Sequence, residues 1–533
     1  MRVSLPSGSS VVSKGKPVMQ YKSRIKNSSL AAVIGCAALS SVSAASVKQE
    51  IAPTATLEVA PATVVNAQPN FVMEQPLPPR EIPVRQTMNR SDYDAAKARA
   101  NLWAPRAAKP FTKTFAPLAT PVIKTNFNGH SSTEGLRPAG AHGAVGITHF
   151  VEVTNSHIDM YILIPPIPGG LAGLPLVQSE TLATFFGYTT ETLFDPRVIY
   201  DSTWNRWIVT AIASQESSTV QRFFIAVSTT ADPTGSFFMY NLNVTFFTGD
   251  LFDFPQLGMD QDAVLFTANI FNGTSSHGAD FFSVAKARLY NGLGFSVPVF
   301  TGLVGTLAPP IVRDQNSSTF LIAAPPSGTT FSKYTARDTS KATTLTGPVS
   351  ITVPSYSVPP DAHQPGTSKL LDTGDSRFVN ASTQSGNDLW QTHTIALGGF
   401  PAPKFYRLNT STNVVSQSGF YFGSATSDDF NASIAANDAG DCFVTWTSTD
   451  ASVGRNAQVR LSGKLSAAAG ISAGPTASTS PTFYHPSADN PERWGDYSAV
   501  TTDPLNAANA WLVNEKINQG GLLWGSRIVR FGF

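Results

Sequence analysis

Five aspartates, Asp195, Asp253, Asp375, Asp429 and Asp496, each open a stretch of β-branched and aromatic sequence, and they stand 58, 122, 54 and 67 residues apart. The 122-residue interval is two steps of 61, so the chain repeats with a period near 60. The copies are clearest in FDPRVIYDSTWNRWIVTAIA (194–213), DFPQLGMDQDAVLFTANIF (253–271), DFNASIAANDAGDCFVTWTS (429–448) and WGDYSAVTTDPLNAANAWLVNEKI (494–517). One such unit holds several short strands, and a single small twisted sheet cannot bury both faces without neighbours. The period therefore predicts an all-β fold, a β-propeller with seven blades. Six or eight are the alternatives if the degenerate unit around IVRDQNSSTFLIAAP (311–325) is miscounted.

The second unit shows the strand pattern most plainly. PRVIYD, RWIVTAIAS, RFFIAVSTT and SFFMYNLNV follow one another, with turns at Ser202 to Asn205 and at Asp232-Pro233-Thr234-Gly235. Proline fixes φ for a type I turn in the latter, which gives that loop a mechanism. At the C-terminus SRIVRF completes a blade begun by N-terminal sequence, and such closure removes a free sheet edge. Only 14% of residues are charged, while 40 glycines and 38 prolines supply turns, as a turn-rich β globule requires.

Charge divides the chain unevenly. Residues 1–44 hold six Lys and Arg and no acid, leaving 31 basic against 36 acidic residues beyond them, a formal −5. A mildly acidic body lacks the basic clusters that bind phosphate backbones, which sets nucleic acid aside as a partner. Lys22, Arg24 and Lys26 precede the apolar run LAAVIGCAAL (30–39), and Val42, Ser43 and Ala44 supply small residues at a cleavage point. Residues 1–44 read as a secretory signal peptide, with Met19 as an alternative start to Met1, and no transmembrane segment remains after its removal. The expected location is secreted, periplasmic or cell-surface. Val33-Ile34-Gly35-Cys36 gives a second reading, a lipid anchor on Cys36. Under ordinary cleavage Cys442 is the single remaining cysteine, so no internal disulfide forms, and its place in a strand marks it as a small buried hydrophobe.

Residues 45–115 are rich in Ala, Pro, Val and Thr with little periodicity, and read as a mostly irregular linker or pro-segment, either retained or removed. One helix is expected at 91–104, capped by Ser91. Residues 116–533 form the propeller.

Several strings, GAVGITHFVEVTN (143–155), AVSTTADPTGSFFMYNL (226–242), FPQLGMDQDAVLFTANIF (254–271), QPGTSKLLDTGDSRF (364–378) and RWGDYSAVTTDP (493–504), resemble a family of exported bacterial and archaeal proteins. That family carries a sialidase-like or WD40-like propeller and mostly has no assigned activity. The resemblance spans residues 120–533 and implies fold and export, with no catalytic residue to transfer. The chain departs from it at LRPAGAHGAVG, where the family has a Pro-Pro-Asp-Thr-Asn-Gly-type run.

In a propeller the first strand of each blade lines the central channel, so residues at its start project toward one mouth. Asp195, Asp253, Asp375 and Asp429 would form a ring with Asp496, and converging carboxylates suit Ca²⁺, which takes oxygen ligands. The structural alternative is that each aspartate satisfies backbone N–H groups of its own turn. Arg197, Arg377 and Arg493 lie near the same unit starts and suit a carboxylate clamp, or else salt bridges to the neighbouring aspartates. Glu492, Arg493, Trp494 and Asp496 form the densest polar and aromatic cluster, with Trp511, Glu515 and Trp524 in the same unit. An aromatic beside carboxylates suits a sugar or a cation, although tryptophans in β blades more often fill the space between sheets. No His-Glu-x-x-His, Gly-x-Ser-x-Gly, Walker or GxGxxG motif occurs, nor a Ser-x-Asp-x-Gly-x-Thr-Trp box. The expected function is an exported propeller, more readily a binder than an enzyme, that takes a glycan, peptide or surface partner at one mouth of the channel. An extracellular glycan hydrolase of sialidase-like type is the alternative.

Overall fold

The computed structural model describes residues 49–66, 80–82, 90–102, 106, 108–110, 118–133, 135–164, 173–518 and 520–533. The expected signal peptide, Met19 and Cys36 lie outside the described residues. Among the described residues no helix is long and apolar enough to cross a membrane.

The fold is all-β, a ring of antiparallel meanders. Sheet I contains His142–Val145, His149–Val153, His157–Ile162 and Leu176–Thr181. Sheet II contains Leu193–Asp201, Arg206–Ala213, Arg222–Ser228 and Ser236–Asn243, the four strands expected in the second unit. Sheet III contains Asp250–Met259, Ala263–Asn272, Ser275–Ala285 and Phe295–Leu303. Sheet IV begins with the three-residue strand Pro310–Val312 and continues through Thr319–Ala323, Gly328–Arg337 and Thr344–Tyr356. Sheet V contains Ser382–Ser385, Asp388–Leu397, Phe400–Asn409 and Val414–Phe420, and sheet VI Asp428–Ala436, Cys442–Asp450, Arg455–Lys464 and Thr476–Thr479. Sheet VII joins Ala499–Thr502, Asn509–Ile517 and Trp524–Gly532 to Val122–Ser131, so the last strand of the chain is clasped by one that precedes sheet I.

The first strands of successive sheets neighbour one another in a closed cycle, with that of sheet VII beside that of sheet I. The weak fourth unit joins this cycle through one short strand. Pro310–Val312 bonds in parallel to the first strands of both sheet III and sheet V, merging them into one ten-stranded sheet, while Ala308 bridges to Ile322. Gly258 allows that approach, since a Cβ there would sit 2.5 Å from the Pro310 carbonyl oxygen.

The core follows from the ring. Each hydrophobic cluster lies between two adjacent sheets, such as Trp207 and Val209 of sheet II against Val151 and Met160 of sheet I, or Ile528 and Trp524 of sheet VII against Phe150 of sheet I. The same holds for every other neighbouring pair around the ring. Burying one such Val, Leu, Ile or Phe side chain contributes about 1.5–3 kcal/mol. Cys442 is buried among the clusters, and burial pushes its thiol up to about 12, as expected of a structural cysteine.

The expectation of an irregular segment before residue 116 needs correction. Glu50–Ile51, Ala55–Val59 and Thr63–Asn66 add outer strands to sheets IV, III and II in turn, so this stretch runs along the rim of the ring. Sheet edges carry unpaired N–H and C=O groups, and these strands satisfy them. The strands are only two to five residues long, too short for a period to stand out: Ala55–Val59 alternates, with Leu57 fully covered between exposed Thr56 and Glu58. Pro53 and Pro61 separate the strands. The expected helix is present as α1 (Arg90–Asn101) and ends three residues earlier than anticipated. Lys97 fixes it with an ion pair to Asp361 at 2.6 Å and hydrogen bonds to Thr373 Oγ1 and to the Pro359 and Gly374 carbonyls.

Candidate functional site

The repeated aspartates mark a shared backbone device. In sheets II, III and VI the pairing of the first two strands skips at Phe194 to Arg197, Asp253 to Gln256 and Phe430 to Ser433. Asp195, Phe254 and Asn431 sit at positive φ inside these bulges, and Asp496 does so just ahead of sheet VII. A β-bulge re-aims the side chains around it. Here it turns them into the channel, where Asp195, Asp253, Asp375, Arg377, Arg493, Trp494 and Asp496 line one cavity of about 80 Å³, the narrow end.

Most of these charges are engaged within the protein. Asp375 accepts the Arg377 backbone N–H at 3.0 Å and its guanidinium at 2.7 and 2.8 Å, and this pairing outweighs burial and holds the carboxyl below its ordinary value. Arg493 donates to Asp496 at 2.6 Å and to the Ile82 carbonyl at 2.7 Å. Asp429 lies outside the cavity lining. It pairs at 2.6 Å with Lys109, both side chains fully buried, and accepts the Gly423 N–H and the Trp446 indole N–H. Asp375 and Asp429 thus bond to backbone N–H groups of their own loops. Asp195 differs: it is 4% exposed, its Oδ1 accepts no hydrogen bond, and burial with Asp253 and Asp496 nearby pushes its carboxyl well above the ordinary range.

The Ca²⁺ expectation for Asp195, Asp253, Asp375 and Asp429 is corrected accordingly. Among the described residues no three His, Cys, Asp or Glu side chains gather closely enough to hold a metal ion. Arg377 and Lys109 occupy the two carboxylates that would have completed the set.

Arg197 does not join a clamp with Arg377 and Arg493. It is buried across the channel, donating to the Pro255 carbonyl at 3.0 Å, to Asn380 Oδ1 at 3.0 Å and to the Val379 carbonyl at 3.0 Å, with its guanidinium 3.5 Å from the Tyr497 ring centroid. Its partners belong to sheet III and to the approaches to sheets V and VII, so it closes the channel between its two ends. Glu492 also sits away from the cavity lining. It is fully buried, holding Ser487 at 2.7 Å and Lys369 at 3.4 Å. The expected aromatic platform is likewise core: Trp494 donates to Thr447 Oγ1 and packs on Phe430 and Tyr484, and Trp511 and Trp524 are buried between sheets VII and I.

Beyond Arg197 the channel widens to a cavity of about 360 Å³ at the opposite mouth, lined by the first strands of every sheet. Its walls are mixed: Val145, Ile199, Leu257, Ile434 and Val500 alternate with polar side chains such as Asn380, Ser382, Thr383, Ser433, Ser498 and Thr501. The rim carries Arg313, which binds Asp438 at 2.8 Å and Thr502 at 2.6 Å, and Lys286, which binds Asp201 at 2.7 Å. The turns after the first strands of sheets VII, I and II, consecutive in the ring, expose Leu505 (66%), Ile147 (38%) and Trp204 (57%). No aspartate repeat pointed to this end. Its signal was the alternation of small apolar residues in strands such as NASIAAND and YSAVTTD, which also describes any channel-lining strand.

No family model and no curated protein matches the chain. Among solved structures it is similar to the parainfluenza virus 5 hemagglutinin-neuraminidase bound to the ligand DANA, at 10% identity, over 69% of this chain and 95% of that one, with a TM-score of 0.35. A protein of unknown function from Dyadobacter fermentans is similar at 10% identity over 63% and 94% of the two chains, TM-score 0.35. An exo-β-1,3-galactanase from Phanerochaete chrysosporium is similar at 11% identity over 76% and 96%, TM-score 0.30. The architectural description stands on the strand pairing and not on these likenesses.

Proposed function

We propose that the protein is an exported seven-bladed β-propeller that binds an extracellular peptide segment at the wide mouth of its channel. The observation that carries this reading is the 360 Å³ cavity open beyond Arg197, whose wall alternates aliphatic side chains with hydrogen-bonding ones. Ligand sites are concave, mostly apolar and carry a few convergent polar groups, within a size range that includes this volume. The aliphatic side chains Ile199, Leu257 and Val500 match an aliphatic side chain of an extended peptide, and Asn380, Thr383 and Thr501 offer partners to its backbone. The exposed arc of Leu505, Ile147 and Trp204 continues the aliphatic part of that wall outward. On this reading residues 1–44 direct export, with lipidation at Cys36 as the alternative, and mass spectrometry of the exported protein's N-terminus distinguishes the two.

The test is selection of peptides on the immobilised full chain, with T501W as the obstructing variant, since Thr501 is half-buried in the cavity wall. Selected peptides should carry an aliphatic or aromatic anchor and lose binding about tenfold or more to T501W, the scale of a lost hot-spot contact. Peptides that bind T501W as tightly as the parent would overturn the reading.

One feature favours the hydrolase reading: burial beside Asp253 and Asp496 raises the affinity of the Asp195 carboxyl for a proton, in the direction a general acid needs. The narrow cavity that holds it is less than a quarter the volume of the wide one. Release of a chromogenic leaving group from aryl glycosides, abolished in D195N, would establish hydrolysis in place of binding.

A further inference from the structure

We propose that the floor of the wide cavity holds a carboxylate of the bound peptide, on the ring N–H of His142. This rests on the peptide reading and names the group that the ligand brings to the bottom of the site. His142 opens the first strand of sheet I and belongs to the cavity lining. Its Nδ1 accepts the Val198 backbone N–H at 3.3 Å. A ring nitrogen that accepts carries no proton, so the neutral ring keeps its single proton on Nε2. Among the described residues no group accepts a hydrogen bond from Nε2, and His142 is partly exposed where it lines the cavity.

The field at that nitrogen favours an anion. Arg197 lies beneath the floor and donates to Asn380 Oδ1 at 3.0 Å, and the Asn380 amide donates to Ser433 Oγ at 2.6 Å, so the guanidinium is braced directly against the lining. Burial first, and then the positive charge of Arg197, hold His142 well below the ordinary histidine range. A charge that repels a proton from the ring attracts a carboxylate to its N–H, and a charged acceptor makes a stronger hydrogen bond than a neutral one. The acids of the lining stand elsewhere. Asp201 is three residues beyond Val198 on one strand, about 10 Å toward the wide mouth, and Asp260, Asp438 and Asp503 likewise follow the ends of first strands. Each is engaged there: Asp201 with Lys286 at 2.7 Å, Asp260 with the Thr319 and Thr339 hydroxyls at 2.7 and 2.6 Å, Asp438 with Arg313 at 2.8 Å and Asp503 with Arg530 at 3.0 Å.

Isothermal titration of the full chain with each selected peptide in two forms, C-terminal free acid and C-terminal amide, tests the proposal. The free acid should bind about tenfold tighter, the scale of exchanging a neutral hydrogen bond for a charged one. If the two forms bind alike because an internal Asp or Glu supplies the carboxylate, changing that residue to Asn or Gln should cost the same factor. In H142N the side-chain oxygen still accepts the Val198 N–H, but the donor at Nε2 is gone, and the ratio between charged and neutral forms should fall to about one. Charged and neutral forms that bind the parent equally, or a preference that survives in H142N, would overturn the proposal. The peptide reading fails differently, when selection yields no peptide or only peptides that T501W still binds. N-acetyl-leucine and N-acetyl-leucinamide then decide this proposal alone: the acid should shift the ¹⁵N signal of His142 Nε2 in the full chain and the amide should not, and equal responses or none would overturn it. The same measurement decides if H142N does not fold.

Discussion

The two ends of the channel are built from the same strands and reach opposite solutions. At the narrow end acidic side chains line the cavity, Asp375 paired with Arg377 and Asp496 with Arg493, while Lys109 holds Asp429 outside the lining. At the wide end the first strands of the sheets present aliphatic side chains alternating with Ser, Thr and Asn, and the ion pairs Lys286–Asp201 and Arg313–Asp438 join different sheets. Charge placed early in each repeat demands internal partners and becomes structure. Wall left uncovered by any partner becomes a place to bind. Arg197 separates the two regimes.

The contrast is most easily broken at Lys109. Truncation in K109A leaves Asp429 charged and fully buried, and should lower stability by about 3–5 kcal/mol, measured by urea unfolding. Replacing Arg197 with methionine keeps much of the volume but strands the Pro255 and Val379 carbonyls. A loss of about 2–4 kcal/mol is expected, since each unsatisfied buried group costs about 1–3 kcal/mol. If the stability of R197M matched the parent, the guanidinium would not be the partition described above.

A third prediction concerns pH at a buried cluster where sheets VII and I meet, away from both ends. Burial, reinforced by Asp159, pushes Glu152 up to about 7, while His130 and hydrogen-bond donors pull the other way. A carboxyl raised in the folded state contributes stability that is full below its unfolded value of 4.5 and is lost as pH rises through about 7. E152Q should flatten the fall of stability over that window, by at most one proton's slope, about 1.4 kcal/mol per pH unit. Thermal melts across the window check it. The smallest effect belongs to the wide rim: R313A removes a partly exposed pair with Asp438 and should shift stability by less than about 1 kcal/mol.

Much of the ring was legible beforehand because a two-residue period with turn punctuation is a local property. The four strands of sheet II, the turns around Asn205 and Asp232, and closure by SRIVRF all follow from short stretches. The outer strands at residues 50–66 escaped because each is only two to five residues long and Leu57 is the one fully covered side chain among them. At the site, Asp195, Asp253, Asp375, Arg377, Arg493, Trp494 and Asp496 converge on one cavity, whereas Glu492 and Asp429 lie outside its lining. Tyr497 and Phe254 were passed over as strand aromatics, and nothing in the sequence around Lys109 signals a partner 320 residues away.

By itself the sequence determined the repeat, its all-β character and the alignment of an aspartate with the start of each unit, since these depend on neighbours along the chain. Tertiary structure decided what those aspartates do. Only closure of the ring brings Asp195, Asp253 and Asp496 within electrostatic reach of one another, sets Arg377 and Arg493 among them, and lays Arg197 across the axis. Electrostatic partnership is a matter of distance in space and of burial, and a linear pattern encodes neither.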